Sequence, residues 1–187
     1  MIQTISPRGA FAIACYEGIV PGPYLDSVKV WTWGIGHTKA AGAPDPAAMG
    51  RGMPVDVGGV VASAIRIFRD DLAHYAAAVA AAVKVPVTQP EFDALVSFHY
   101  NTGAIGHASL VAALNRGDRL SAATGFMNWL KPPEVIGRRK KESELFRDGI
   151  YPTGPVNVWQ VSLAGHVIYK PIRTISEPAF IAAYSAA

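Results

Sequence analysis

Glu17, Asp26 and Thr32 are the residues of this chain whose types and spacing could do chemistry. They stand in Glu17-Gly18-(x)5-Tyr24-Leu25-Asp26-(x)5-Thr32-Trp33-Gly34-Ile35-Gly36-His37. A carboxylate is followed nine residues on by a second, and six further by a hydroxyl. Cleavage of a glycosidic bond needs that equipment. One carboxylic acid protonates the leaving oxygen, and a second carboxylate activates a water or acts as nucleophile. A carboxylate and a hydroxyl side by side can hold one water for attack. Taken singly, each residue has a plainer reading: Glu17 as a solvated helix end, Asp26 as a turn former, Thr32 as a strand residue.

The elements around them are readable. Ser6-Pro7 is an N-cap followed by proline at the first helical position, Phe11, Ile13 and Ala14 give a short buried stripe, and Gly18 stops the helix after Glu17. The acid therefore sits at a helix C-terminus beside Tyr16, a setting that disfavours a bare negative charge. From about residue 21 to 60 the composition turns to Gly, Pro and β-branched residues, predicting a small β-rich lobe with a loop over 40–54. Asp26 and Thr32 flank a hairpin turn there, which places them across from each other.

Val61, Ile65, Phe68, Leu72, Tyr75 or Ala76, Val79 and Val83 recur at helical spacing and predict one long amphipathic helix. Thr88-Gln89-Pro90-Glu91 is a capping box opening a helix through Phe92, Leu95, Val96 and His99, broken at Tyr100-Asn101-Thr102-Gly103. Shorter helices are expected over 110–114, 120–130 and 138–146. Beyond Tyr151, residues 156–161 and 167–175 read as two strands of a hairpin around Ala164-Gly165.

With 187 residues, half of them hydrophobic, the chain has material for a sizeable core without metal or disulfide. A single cysteine, Cys15, rules out an internal disulfide and reads as a small apolar residue. The net charge of +3 is a mild basic bias that suits an anionic partner. The cluster Arg138-Arg139-Lys140-Lys141 lacks interleaved aromatics, so nucleic-acid binding is not expected. For Arg139 and Lys140 the expectation is a solvated basic turn. No apolar run is long enough to span a bilayer, and the start of the chain lacks the basic and apolar regions of a secretory signal. His37 reads as a structural residue tying the β lobe to the long helix, with Asp71 the preferred partner and Asp70 the second. Trp31 and Trp33 are expected to pack between lobes.

Four blocks together resemble the phage-type lysozymes, glycoside hydrolase family 24, and in particular lambdoid-like endolysins. They are Tyr16-Glu17-Gly18; Tyr24-Leu25-Asp26 with Trp31-Thr32-Trp33-Gly34-Ile35-Gly36-His37-Thr38; Val85-Pro86-Val87-Thr88-Gln89-Pro90-Glu91-Phe92 running to Asn101-Thr102-Gly103; and Gly137-Arg138-Arg139-Lys140-Lys141-Glu142 through Phe146. The resemblance covers roughly residues 6–149. The turn Ser27-Val28-Lys29-Val30 departs from the family pattern by lacking glycine.

The resemblance implies an α+β, lysozyme-like fold: a mainly helical lobe and a small β-hairpin lobe with the active-site cleft between them, over residues 1–150. Residues 151–187 would be an appended C-terminal β-rich extension. It implies an N-acetylmuramidase cutting the β-1,4 bond between MurNAc and GlcNAc of peptidoglycan, inverting, with Glu17 as general acid and Asp26 and Thr32 holding the water. Arg138 is similar to the family's arginine beside the catalytic glutamate. Tyr100, Asn101 and Ser109 are candidate substrate contacts at the cleft, with a core position the equal alternative for Tyr100. No cofactor or metal is expected. The expected partner is the glycan strand of peptidoglycan, with no stable membrane insertion and a monomer favoured. The protein would be made in the cytoplasm and act on the wall after release, for which a holin pore would be suitable. Two alternatives stay open: a lytic transglycosylase, which must keep water from attacking, and an inactive wall-binding protein on a lysozyme scaffold.

Overall fold

The computed structural model describes residues 3–186. Met1 and Ile2, part of the opening stretch read for a leader, lie outside the described residues. Two compact units emerge, each assembled from separate stretches of chain. One contains the described residues through Ala12 together with Leu72–Thr153; the other contains Ile13–Asp71 and the residues from Gly154 on.

Helix α1 spans Pro7–Glu17. Its start is capped by Ser6, whose Oγ accepts the Gly9 N–H at 3.0 Å and whose backbone N–H donates to Asp93 Oδ1, also at 3.0 Å. It stops where the Gly18 N–H donates to the Ala14 carbonyl, with Gly18 at φ 68°. Strands β1 (Val20–Leu25), β2 (Trp31–Gly34) and β3 (His37–Thr38) form an antiparallel sheet in that order. The segment 40–54 holds two single-turn 3-10 helices, Lys39–Ala41 and Pro46–Ala48, the second capped by Asp45. Helix α2 runs Val57–Ala82, and of the helical stripe Val61, Ile65, Phe68, Leu72, Ala76 and Val79 are buried, while Tyr75 and Val83 are half-buried.

Helix α3 spans Gln89–Thr102. Its capping box is closed in both directions: Thr88 takes the Glu91 N–H while Glu91 takes the Thr88 N–H. The helix continues one turn past its expected break, so Tyr100 and Asn101 are helical, and it ends at Gly103, φ 68°. Helices α4 (Ser109–Asn115), α5 (Arg119–Gly125) and α6 (Ile136–Asp148) follow. The first unit's core gathers Phe92, Leu95, Phe98, Leu110, Leu114, Phe126 and Leu145, with the Phe98 ring edge-on to Phe126 at 5.6 Å and to Trp129 at 5.3 Å.

The C-terminal segment belongs to the second unit. Strands β4 (Val156–Val161) and β5 (Val167–Ile175) pair antiparallel with a bulge around Trp159, and helix α7 (Glu177–Ala186) follows. The hairpin is stitched onto the β1 segment at both ends. Ile19 N–H donates to the Asn157 carbonyl and Trp159 N–H to the Ile19 carbonyl, both at 2.8 Å, while Leu25 N–H donates to the Gly165 carbonyl at 2.9 Å. Ile13, Ile19, Val20, Trp33, Ile35, Val156, Val158 and Phe180 are buried in this unit.

Candidate active site

Glu17 is the last residue of α1, half-buried, and Gly18 behind it is held by close packing. The Trp159 indole lies so near the Gly18 Cα that a methyl there would collide with it. Together with the positive φ, that leaves room for glycine only. The end of α1 is thus fixed from outside the helix.

Asp26 follows β1 and organises the turn. Its Oδ1 accepts the N–H groups of Val28 (2.9 Å) and Val30 (2.8 Å), and its own N–H donates to the Val30 carbonyl at 3.0 Å. In this turn without glycine, Lys29 adopts the left-handed φ of 66°. A side chain in that region costs backbone strain of order 1 kcal/mol. In the ladder Tyr24 stands directly opposite Thr32 and Leu25 opposite Trp31. Strand alternation then puts Tyr24, Asp26 and Thr32 on one face, Asp26 diagonal to Thr32 rather than directly across from it. Thr32 is buried, and its hydroxyl donates to the Val30 carbonyl at 3.2 Å. With its hydrogen committed there, Thr32 Oγ1 offers only lone pairs to anything on that face.

The Tyr24 phenol is pushed above its ordinary range by burial first, then by the negative fields of Glu17, Tyr169 and Asp26. Both carboxylates therefore act on one ring. Tyr24 was not singled out from sequence, although its position two residues before Asp26 on the same strand face is a usable signal.

His37 ties β3 to two other segments: Nδ1 is 2.8 Å from Asp71 Oδ2 on α2, and Nε2–H donates to the Pro44 carbonyl at 3.0 Å. Asp70 is exposed, 3.7 Å from Arg69. Trp33 is buried with its indole N–H on the Pro21 carbonyl at 2.8 Å, and Trp31 lies beneath the Arg51 guanidinium, 3.6 Å from its ring centre. Both contacts fall within the second unit.

The remaining candidates lie in the first unit. Arg138 is buried: Nε donates to Glu142 Oε1 at 2.9 Å and Nη2 to the Ser97 carbonyl at 3.1 Å. Arg139 corrects the expectation of a solvated turn, for it is fully buried. Its Nη2 donates to Asn101 Oδ1 (2.9 Å) and Glu142 Oε1 (3.1 Å), and its Nε lies 3.0 Å from Glu142 Oε2. Ser97 Oγ adds a 2.6 Å bond to Glu142. Burial raises the Glu142 carboxyl, against the opposing pull of Arg138, Arg139 and the Ser97 hydroxyl. Charge alone pointed to solvent; partners on α3, about forty residues away, supply the reason for burial. Lys140 is exposed as expected. Tyr100 packs on Tyr75 with ring centres 4.8 Å apart, Asn101 is exposed apart from its bond to Arg139, and Ser109 is an exposed first residue of α4. Among the described residues no group of three or more His, Cys, Asp or Glu side chains is placed to hold a metal ion.

A model of the family described as phage lysozyme matches residues 14–164. The chain belongs to the phage lysozyme family. The endolysin of Acyrthosiphon pisum secondary endosymbiont phage 1 is 32% identical over 155 residues, covering 76% of this chain and 97% of that protein. Among solved structures, the endolysin from Escherichia coli O157:H7 phage FAHEc1 superposes with a TM-score of 0.69 at 30% identity, covering 81% of this chain and 98% of that one. The muramidase domain of SpmX from Asticaccaulis excentricus gives 0.64 at 29%, covering 78% and 98%. The fold is the α+β lysozyme fold, and the protein is an enzyme of the lysozyme class, a hydrolase of peptidoglycan acting on the cell wall. No helix of the described residues is long and apolar enough to cross a membrane.

Proposed function

We propose that this lysozyme cleaves the β-1,4 bond between MurNAc and GlcNAc by single-displacement acid/base catalysis, with inversion at the anomeric carbon. Glu17 donates its proton to the leaving oxygen. Water donates one hydrogen bond to Asp26 and one to Thr32 Oγ1, leaving a lone pair for the anomeric carbon. As the C–O bond to the leaving sugar breaks and the bond to water forms, Asp26 takes the water's proton. Exchange with solvent returns both carboxyls to their starting states.

The observation that carries this reading is the β1–β2 register, which sets Asp26 and Thr32 on one face with Thr32 available only as an acceptor. A transglycosylase would have no use for two acceptors aimed at one water. Action as a monomer delivered through a holin pore belongs to the same proposal. It is checked by solution mass measurement and by lysis on co-expression with and without a holin.

The deciding experiment is mass spectrometry of fragments released from purified sacculi, with Glu17→Gln as control. Reducing-end MurNAc products that vanish in the variant, formed initially as the α anomer by proton NMR, are expected. Anhydro products would replace the reading with the transglycosylase one, and retained activity in Glu17→Gln would remove Glu17 from its role.

A further inference from the structure

The C-terminal hairpin does more than cover the second unit. Beside Asp26 is a hollow of about 390 Å³ lined by Tyr24, Leu25, Asp26, Ser27, His166, Val167 and Tyr169. One wall comes from the end of β1 and the catalytic turn, the other from the hairpin. Its volume falls in the range of small-ligand clefts, roughly 300–1,000 Å³.

Tyr169 is 80% exposed. Its ring is held edge-on to Trp159 at 5.5 Å. Trp159 is in turn pressed against Gly18, the residue after Glu17, and its backbone is bonded to Ile19. At the other end of the hairpin, Gly165 bonds Leu25 and lies so close to Trp31 that a Cβ on it would fall 2.7 Å from that ring. An exposed aromatic on a hairpin fastened at both ends is a pre-ordered surface, which binds with little ordering cost.

We propose that the hairpin adds a saccharide subsite contiguous with Asp26, in which Tyr169 offers its ring to a pyranose face and His166, Ser27 and Asp26 supply the polar rim. The occupant is the next sugar of the glycan strand being cut. A polymer threaded past Asp26 continues beyond the scissile bond, and this hollow shares Asp26 with the reacting site. A tyrosine ring beside a few hydrogen-bonding groups matches a sugar, which has one apolar C–H face and an equatorial rim of hydroxyls. The inference rests on the assignment of Asp26 to the reacting site.

The test measures binding of GlcNAc oligomers, trimer to hexamer, to the Glu17→Gln protein by calorimetry, so that no cleavage is involved. Adding Tyr169→Ala is expected to weaken the hexamer by roughly five- to tenfold and to abolish much of the affinity gained on lengthening the oligomer. Tyr169→Phe is expected to keep that gain. Thermal melts verify that both variants fold. Unchanged oligomer binding in Tyr169→Ala overturns the subsite. A loss seen only with peptide-bearing muropeptides assigns the hollow to the stem peptide and overturns it as well. Neither result touches the catalytic assignment, which fails separately if Glu17→Gln still cuts sacculi.

Discussion

The imidazole of His37 meets the carboxylate of Asp71 at 2.8 Å with both side chains almost wholly buried. Because Nε2–H is committed to the Pro44 carbonyl, Nδ1 is the nitrogen that serves Asp71. One ring thereby fastens β3, the loop around Pro44 and helix α2.

His37→Ala is expected to lower unfolding free energy by roughly 3–5 kcal/mol, because it removes the imidazole bonded to the buried Asp71 carboxylate and its bond to the Pro44 carbonyl together. Urea denaturation of the two single variants and of the His37→Ala/Asp71→Ala pair checks it. The double variant should lose clearly less than the sum of the singles.

Thr32→Val is expected to fold, since it keeps the shape of a buried β-branched residue at the cost of one bond to the Val30 carbonyl. With the acceptor that the proposed mechanism gives the water removed, its kcat should fall by roughly 10²–10³-fold. Thr32→Ser restores the oxygen and should recover most of the rate. Initial rates on sacculi for the three proteins decide it, with kcat rather than KM carrying the change.

The Cys15 thiol is pushed up to about 12 by burial first and by Glu177 second. Its Sγ–H donates to the Gly154 carbonyl at 3.4 Å. At pH 8 iodoacetamide should leave the folded protein unlabelled while labelling it fully in urea, because the thiolate is the reactive form. Rapid labelling of the folded protein, read by mass spectrometry, would contradict this.

Burial holds His99 below its ordinary value of 6.5. Its ring packs on Tyr75 with centres 5.1 Å apart. The unfolded chain therefore binds a proton at this residue at higher pH than the folded one. The contribution to stability is full above the ordinary value and is lost as pH falls through the lowered one. His99→Phe should flatten the dependence of stability on pH between about 7 and 5, measured as urea midpoints across that window.

What was legible in the sequence was whatever local chemistry decides. Ser6-Pro7 and Gly18 bound α1, Thr88 and Glu91 open α3, and the strand bounds of the C-terminal hairpin follow from alternation. The spacing of Asp26 and Thr32 pointed to the two sides of one hairpin turn. Helix α7 was overlooked although Ser176-Glu177-Pro178 is a start signal; its apolar residues run nearly all round it and only Phe180 and Tyr184 are buried, so no single stripe marks it. The extra turn of α3 through Thr102 was lost because Asn101-Thr102-Gly103 looks like an ending. Arg139 and Tyr169 left no local trace. Their settings depend on Asn101 on α3 in one case and on Trp159 across the hairpin in the other, and only the folded chain brings these together.

The bonds from Ile19 and Leu25 to Asn157 and Gly165 have a consequence for synthesis. The unit that carries Glu17 and Asp26 is not covalently complete until the hairpin and α7 have left the ribosome, because its two stretches are separated by Leu72–Thr153. While the chain is nascent, the α1 end has no Trp159 against Gly18 and the Leu25 N–H has no acceptor in the hairpin. A chain truncated short of Gly154 would therefore lack Trp159 against Gly18 and the Asn157 and Gly165 acceptors, the contacts that brace the helix end bearing Glu17, the acid of the proposed mechanism.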